Sequence, residues 1–150
     1  MSVGLGPAKG KDFVTTTGPW LVTMDELKAY EVNCKENHIG KSWNLKMSAT
    51  VNDRTVSEGN LSDMEWTFAE LIERASYGVE LFPGDIIGSG TVGTGCFLEL
   101  NGTGKLKNPD YAEHWLMPGD KIELKIDALG TLANQMLAEP SGYSILQLKK

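Results

Sequence analysis

The sequence predicts a single β-dominated domain with few helices, and three observations carry that reading. Residues 42–52 alternate strictly: Trp43, Leu45, Met47, Ala49 and Val51 share one face, and Asn44, Lys46, Ser48 and Thr50 share the other. That is the period of a strand with one buried and one wet side. The triplet Pro-Gly-Asp occurs at 83–85 and again at 118–120, each time ahead of an apolar run. Only one segment, opened by Thr67, carries a clear helical stripe. A tally of about six or seven strands and one good helix does not fit an alternating βαβ protein.

The elements follow in order. Residues 1–10 are glycine-rich and read as a loop. Residues 11–17 carry β-branched residues that favour an extended chain. Gly18-Pro19 breaks that run, and residues 20–23 read as a short strand. Residues 24–29 have room for a single helical turn. After the alternating strand, Asn52-Asp53 suits a hairpin turn, with 55–58 as the return strand. Thr67 can cap a helix, and Glu70 three positions on completes a capping box. Phe68, Leu71, Ile72 and Ala75 form its apolar stripe, and Gly78 is the expected stop. Residues 101–113 read as a polar loop. The second Pro-Gly-Asp launches 121–126, and 129–132 forms another short strand. The two turn-plus-strand copies are too few for a repeat protein. Residues 143–148 could add an edge strand.

Residues 83–100, PGDIIGSGTVGTGCFLEL, stand at the centre of this plan. Proline presets φ and glycine accepts the left-handed conformation of a tight turn. Ile86-Ile87 read as the start of a buried strand. Gly88, Gly90, Gly93 and Gly95 are then interleaved with Ser89, Thr91 and Thr94. Such a backbone can be approached closely and is edged with hydrogen-bond donors. Glu99 follows between Leu98 and Leu100. Partial desolvation between apolar neighbours would suit it to proton transfer. The plainer reading is a loop, and a strand glutamate that points to water. No Gly-Lys-Ser/Thr closes the run, so it is not a phosphate loop.

Composition narrows the function classes. A chain of 150 residues can bury a real core. Its net charge of −6 and scattered lysines argue against nucleic acid or an anionic membrane as partner. Cys34 and Cys96 have neither metal-ligand spacing nor the look of a disulfide framework, so a reducing cytoplasm is the expected setting. No apolar run approaches a membrane span. There is no Glu-x-Glu, Asp-x-Asp or His-x-His pair for a divalent cation. His38 and His114 stand alone in polar contexts and read as surface residues. Lys11, beside extended hydroxyl residues, is a candidate anion or enolate partner, and equally an ordinary solvated lysine. Residue chemistry alone therefore reaches a β-rich domain with a Gly/Thr-lined pocket, and no reaction.

Four stretches in order resemble the C-terminal part of the fumarylacetoacetate hydrolase family. They are Gly10-Lys11-Asp12-Phe13 with Thr15 and Gly18-Pro19-Trp20; Ser62-Asp63-Met64; the run from Pro83 to Thr91; and Pro118-Gly119-Asp120 with Leu129-Gly130-Thr131-Leu132. The resemblance spans about residues 5–136. It implies a mixed β-roll, with residues 1–150 as the C-terminal portion of the catalytic domain, incomplete on its N-terminal side. It implies that a divalent cation, Mg²⁺ or else Mn²⁺ or Ca²⁺, stabilises an enolate of a β-dicarbonyl or 2-keto acid during C–C hydrolysis, decarboxylation or isomerisation.

By the same resemblance, Lys11 is a catalytic and substrate-binding residue, Thr91 binds substrate, Thr15 is peripheral to the metal, and Glu99 matches a glutamate that activates water with a histidine. The family's principal carboxylate ligands and its lid histidine lie upstream of the Lys11 motif, so the metal is expected only with that other half. The expected partners are a small keto acid, and a second copy or a complementing N-terminal half. The isolated chain is expected to be inactive, and to expose apolar surface along 43–51. The alternative is a non-catalytic β domain that serves as a binding or interaction module.

Overall fold

The computed structural model describes residues 15–138 and Pro140. Residues 1–10, Lys11 and the proposed edge strand at 143–148 lie outside them. Two antiparallel sheets form. The smaller pairs β1 (Glu31–Asn33) with β2 (Lys41–Trp43). The larger comprises β3 (Lys46–Val51), β4 (Arg54–Asn60), β5 (Lys121–Ile126) and β6 (Gly130–Gln135), in the order β4-β3-β5-β6. The mixed roll expected from the resemblance is represented, among the described residues, by antiparallel pairings alone.

The alternating strand of the sequence is two strands in space. It breaks at Asn44-Leu45, where the Asn44 N–H bonds to the Tyr30 carbonyl and the Leu61 N–H to the Leu45 carbonyl. Its alternation holds through the break. Trp43 and Leu45 are buried, and with Leu27 they form the core on which Val22, Leu61, Phe68 and Ile126 pack. The indole N–H of Trp43 is buried with no hydrogen-bond partner among the described residues. Farther on, Met47 pairs with Gly59 and Ile126, and Ala49 with Ser57 and Leu124. Directly opposed residues share a face, so one side of the sheet carries Met47, Ala49, Ile122, Leu124 and Ile126 around two small residues, Ser57 and Gly59.

Turn chemistry is as expected. Asn52 and Asp53 both have positive φ, at 50° and 63°, and join β3 to β4 in a two-residue hairpin. Each Pro-Gly-Asp makes the same closed turn. The Asp85 N–H bonds to the Phe82 carbonyl while the Asp85 carboxylate accepts the Phe82 N–H; Asp120 does both with Met117. The second turn feeds β5. The first feeds no strand: Ile86 is exposed, and its run pairs with none of the described strands, although β4 and β6 are edge strands. The short strand expected at 20–23 is likewise unpaired, with Trp20 and Leu21 exposed, while the helical turn near 24–29 appears as a 3-10 helix at Glu26–Tyr30.

Helix α1 (Phe68–Ala75) has the full capping box between Thr67 and Glu70. Gly78 lies beyond its end with φ +78°. Glu70 does more than cap. Its carboxylate lies 3.0 and 3.1 Å from His38 Nδ1 and accepts the Ile39 N–H. His38 is therefore not a surface residue: its ring is only 12% exposed, stacks edge-on against Trp66, and has Nε2 3.5 Å from Glu65. His114 is exposed, as expected.

A second helix, α2 (Phe97–Lys107), replaces both the expected strand around Glu99 and the expected loop at 101–113. Its two internal glycines and lack of an apolar stripe hide it from pattern reading. The following residues hold it. The buried Asn101 side chain bonds both the carbonyl and the N–H of His114, at 2.8 and 3.0 Å. A Cβ at Gly104 would stand 2.6 Å from the Tyr111 ring, so glycine lets that ring lie on the helix. Lys105 pairs with Glu113.

The Glu70 carboxyl is lowered from 4.5 to about 2, chiefly by the Thr67 N–H, with His38 and the Ile39 N–H adding against desolvation. Its folded value is below its unfolded one, so its contribution is complete above pH 4.5 and is lost as pH falls towards 2. Thermal melts of wild type and Glu70→Gln should therefore converge as pH drops through that window, because glutamine keeps the cap and loses the charge. Parallel melting curves would remove this role.

Candidate functional site

The glycine/threonine stretch folds onto the small-residue patch of the sheet. A Cβ built on Gly59 would stand 2.4 Å from Val92 Cγ2, so the valine seats directly on β4 backbone. Next along, the Thr94 hydroxyl is 3.0 Å from the hydroxyl of Ser57, itself buried. The Gly95 N–H closes a turn onto the Val92 carbonyl at 2.9 Å, and a Cβ at Gly95 would meet Val92 O and Thr91 Cγ2 at 2.8 Å. The face along 43–51 that was expected to lie bare is thus partly covered by the chain's own residues: Trp43 and Leu45 are buried, and Met47, Ala49 and Val51 are half-buried. Apolar exposure persists on that face at Leu124, and elsewhere at Leu21, Tyr77, Ile86, Leu106 and Leu137 among others.

Where this stretch passes the end of β4 it leaves a recess of about 260 Å³. Residues 89–93 form one wall, and Asp63, Met64 and Glu65 face them. Thr91 lies in that wall. Asp63-x-Glu65 was missed as a site feature. Its signal was two carboxylates at spacing two; Asp63 closes a 3-10 turn at Leu61–Asp63, and Glu65 follows just beyond it. The pair is not a bare anionic site. Lys35 Nζ bonds Glu65 at 2.6 Å and the Asp63 carbonyl at 2.9 Å, and the lysine is the main cause holding the Glu65 carboxyl below its ordinary value.

The other predicted residues are spread out. Thr15 is exposed. Its neighbour Thr16 accepts a hydrogen bond from Asn134 of β6 at 3.2 Å. Asn134 pairs with Ile122, opposite Val51, whereas Thr91 sits by the Met47–Gly59 end of the sheet. Lys11 lies outside the described residues. Glu99 is not set in an apolar alternation. It occupies the first turn of α2, is exposed, and accepts the Thr94 N–H at 3.0 Å through Oε2. Thr94 itself holds φ 67°. For a β-branched residue that conformation costs on the order of 1–3 kcal/mol, and its two hydrogen bonds offset the strain.

A divalent cation does not fit the described donors. Among the described residues no three His, Cys, Asp or Glu side chains converge, and Glu65 is already paired. Among them, too, no helix is long and apolar enough to cross a membrane.

Comparison with known proteins gives consistent matches. The family model described as fumarylacetoacetate (FAA) hydrolase C-terminal matches residues 1–137. A 2,4-didehydro-3-deoxy-L-rhamnonate hydrolase of Sphingomonas sp. (strain SKA58) is 34% identical over 128 residues, covering 85% of this chain and 37% of the relative. The fumarylacetoacetase of Oryza sativa subsp. japonica is 28% identical over 148 residues, covering 82% and 34%. The oxaloacetate tautomerase YisK of Bacillus subtilis (strain 168) is 40% identical over 92 residues, covering 61% and 27%. A crystal structure designated HpcE, from Mycobacterium smegmatis, superposes with TM-score 0.58 at 30% identity, covering 81% of this chain and 36% of that one. The chain spans about a third of the length of these relatives.

The seating of Val92 predicts a contrast between two glycines. Gly59→Ala should destabilise the fold by about 1–3 kcal/mol in urea titration, the range for overpacking a tight contact. Gly88→Ala, where a Cβ meets nothing within 4 Å, should stay within about 0.5 kcal/mol of wild type. Equal effects would show that Val92 does not rest on β4.

Proposed function

The chain belongs to the fumarylacetoacetate hydrolase family, and on that premise we propose that it supplies the substrate-facing wall of an active site for β-dicarbonyl or 2-keto acids. The observation that carries this is the recess itself: the Thr91 stretch folds back against β4 and leaves a space of about 260 Å³ with polar groups on two sides. That is room for a small acid. In this reading the Thr91 hydroxyl and neighbouring backbone N–H groups orient a substrate oxygen. The Lys11 ammonium offsets the negative charge that an enolate develops. In C–C hydrolysis Glu99, with a histidine from the complementing part, takes a proton from water as the water oxygen adds to the substrate carbonyl; when the C–C bond breaks, that proton passes to the released carbon.

The relatives named above include hydrolases and a tautomerase, so a shared enolate with different ends fits them all. A divalent cation, Mg²⁺ or a close substitute, would be held by carboxylates other than those described, from a complementing half or a second copy; bound there, it would polarise the substrate carbonyls. The second reading, an interaction module, is favoured by a separate groove of about 740 Å³ lined by Ile39, Trp66, Leu71 and Tyr77.

Two measurements test the enzymatic reading. Calorimetry of the chain alone with MgCl₂ should show no micromolar one-to-one binding; such binding would place the ligands here after all. In a preparation that turns over an acylpyruvate, with the ligand-bearing part present, Lys11→Ala should lower the rate by well over tenfold, on the scale of losing a charge-stabilising donor. Unchanged turnover would take Lys11 out of the site.

A further inference from the structure

We infer that Thr94, anchored by Ser57, is a positioning residue that fixes where the Glu99 carboxylate points. The inference deepens the proposed function and rests on its reading of Glu99 as the proton-transfer group.

The geometry requires more than a helix cap. Cys96 is the N-cap of α2 and Glu99 stands three residues into it. In a capping box a glutamate there would reach back to the Cys96 N–H. The Glu99 Oε2 instead goes two residues farther, to the Thr94 N–H at 3.0 Å. That N–H is presented by a left-handed threonine, φ 67°, between two glycines. Simple capping does not need this conformation. It persists because the Thr94 hydroxyl is pinned 3.0 Å from the buried Ser57 hydroxyl on β4, and because Gly95 closes the turn onto Val92. The chain of contacts runs from a rigid sheet through Ser57 and Thr94 to one oxygen of an exposed carboxylate. Among the described residues the other oxygen, Oε1, has no hydrogen-bond partner. Strain held by surrounding contacts and spent on orienting one group is a recurring feature of reactive sites.

The test uses this chain as it is. In an NMR pH titration the Thr94 amide proton should move with the same midpoint as the Glu99 side-chain carboxyl carbon, and Glu99→Gln should abolish the movement. Thr94→Val, which keeps the shape and loses the hydroxyl anchor, should uncouple the two signals. Thr94→Ser should restore the coupling. A Thr94 amide that ignores Glu99, or a valine variant that titrates like wild type, would overturn the inference whatever the chemistry. In the acylpyruvate-active preparation, Thr94→Val should lower kcat by about tenfold to a hundredfold, the scale of small misplacement, with KM held. The same change in a Glu99→Gln background should add nothing. Coupled NMR signals together with a wild-type rate for Glu99→Gln would instead leave the clamp standing and overturn the reading of Glu99 as the proton-transfer group.

Discussion

A sheet face with almost no side chain at two positions governs this structure. Ser57 and Gly59 lie on the same side of β4, and Val92 and Thr94 occupy the space they leave. Without that depression, the stretch from 89 to 96 would have to arch over the sheet. Its hydroxyls would then face water, with no wall opposite. Close packing makes this arrangement stiff, because a methylene more or less is felt in a dense contact. The glycines of the stretch bring its backbone down to the sheet, and the small residues beneath let it stay there.

The sequence made most of the sheet legible, because strand period and turn chemistry are local. Alternation at 43–51, the Asn52-Asp53 hairpin, the Thr67–Glu70 box and the second Pro-Gly-Asp all appear as the residues dictate. What failed was tertiary. Helix α2 exists because Asn101 grips the backbone at His114, 13 residues on, and Tyr111 lies on Gly104, tertiary contacts that helix period and propensity do not register. Ile86 looked like core, yet it is exposed and its run pairs with none of the described strands. His38 looked isolated because its two carboxylates come from beyond the hairpin.

The candidate site was legible in part for the same reason. Composition marked the glycine/threonine run and the resemblance picked Thr91 within it; in the fold that residue lines a recess. Glu99 was singled out for the wrong local reason: it sits on a helix in water, not in an apolar alternation. Asp63 stood out only within a family-like stretch, and its pairing with Glu65 escaped notice because it faces a loop about 26 residues later in the chain. Residues whose partners are distant in sequence carry weak local signals, and functional sites concentrate such residues.

Helix α2 has a consequence for how the molecule opens. Glycine within a helix costs up to about 1 kcal/mol relative to alanine, and α2 carries Gly102 and Gly104 across only 11 residues. Its helicity is borrowed from the return segment that clasps it. Such an element belongs to the low-stability end of a protein, where partial unfolding begins while the sheet is intact. The Glu99 carboxylate it bears would then come adrift from the Thr94 N–H under mild denaturant or heat while the strands still held together.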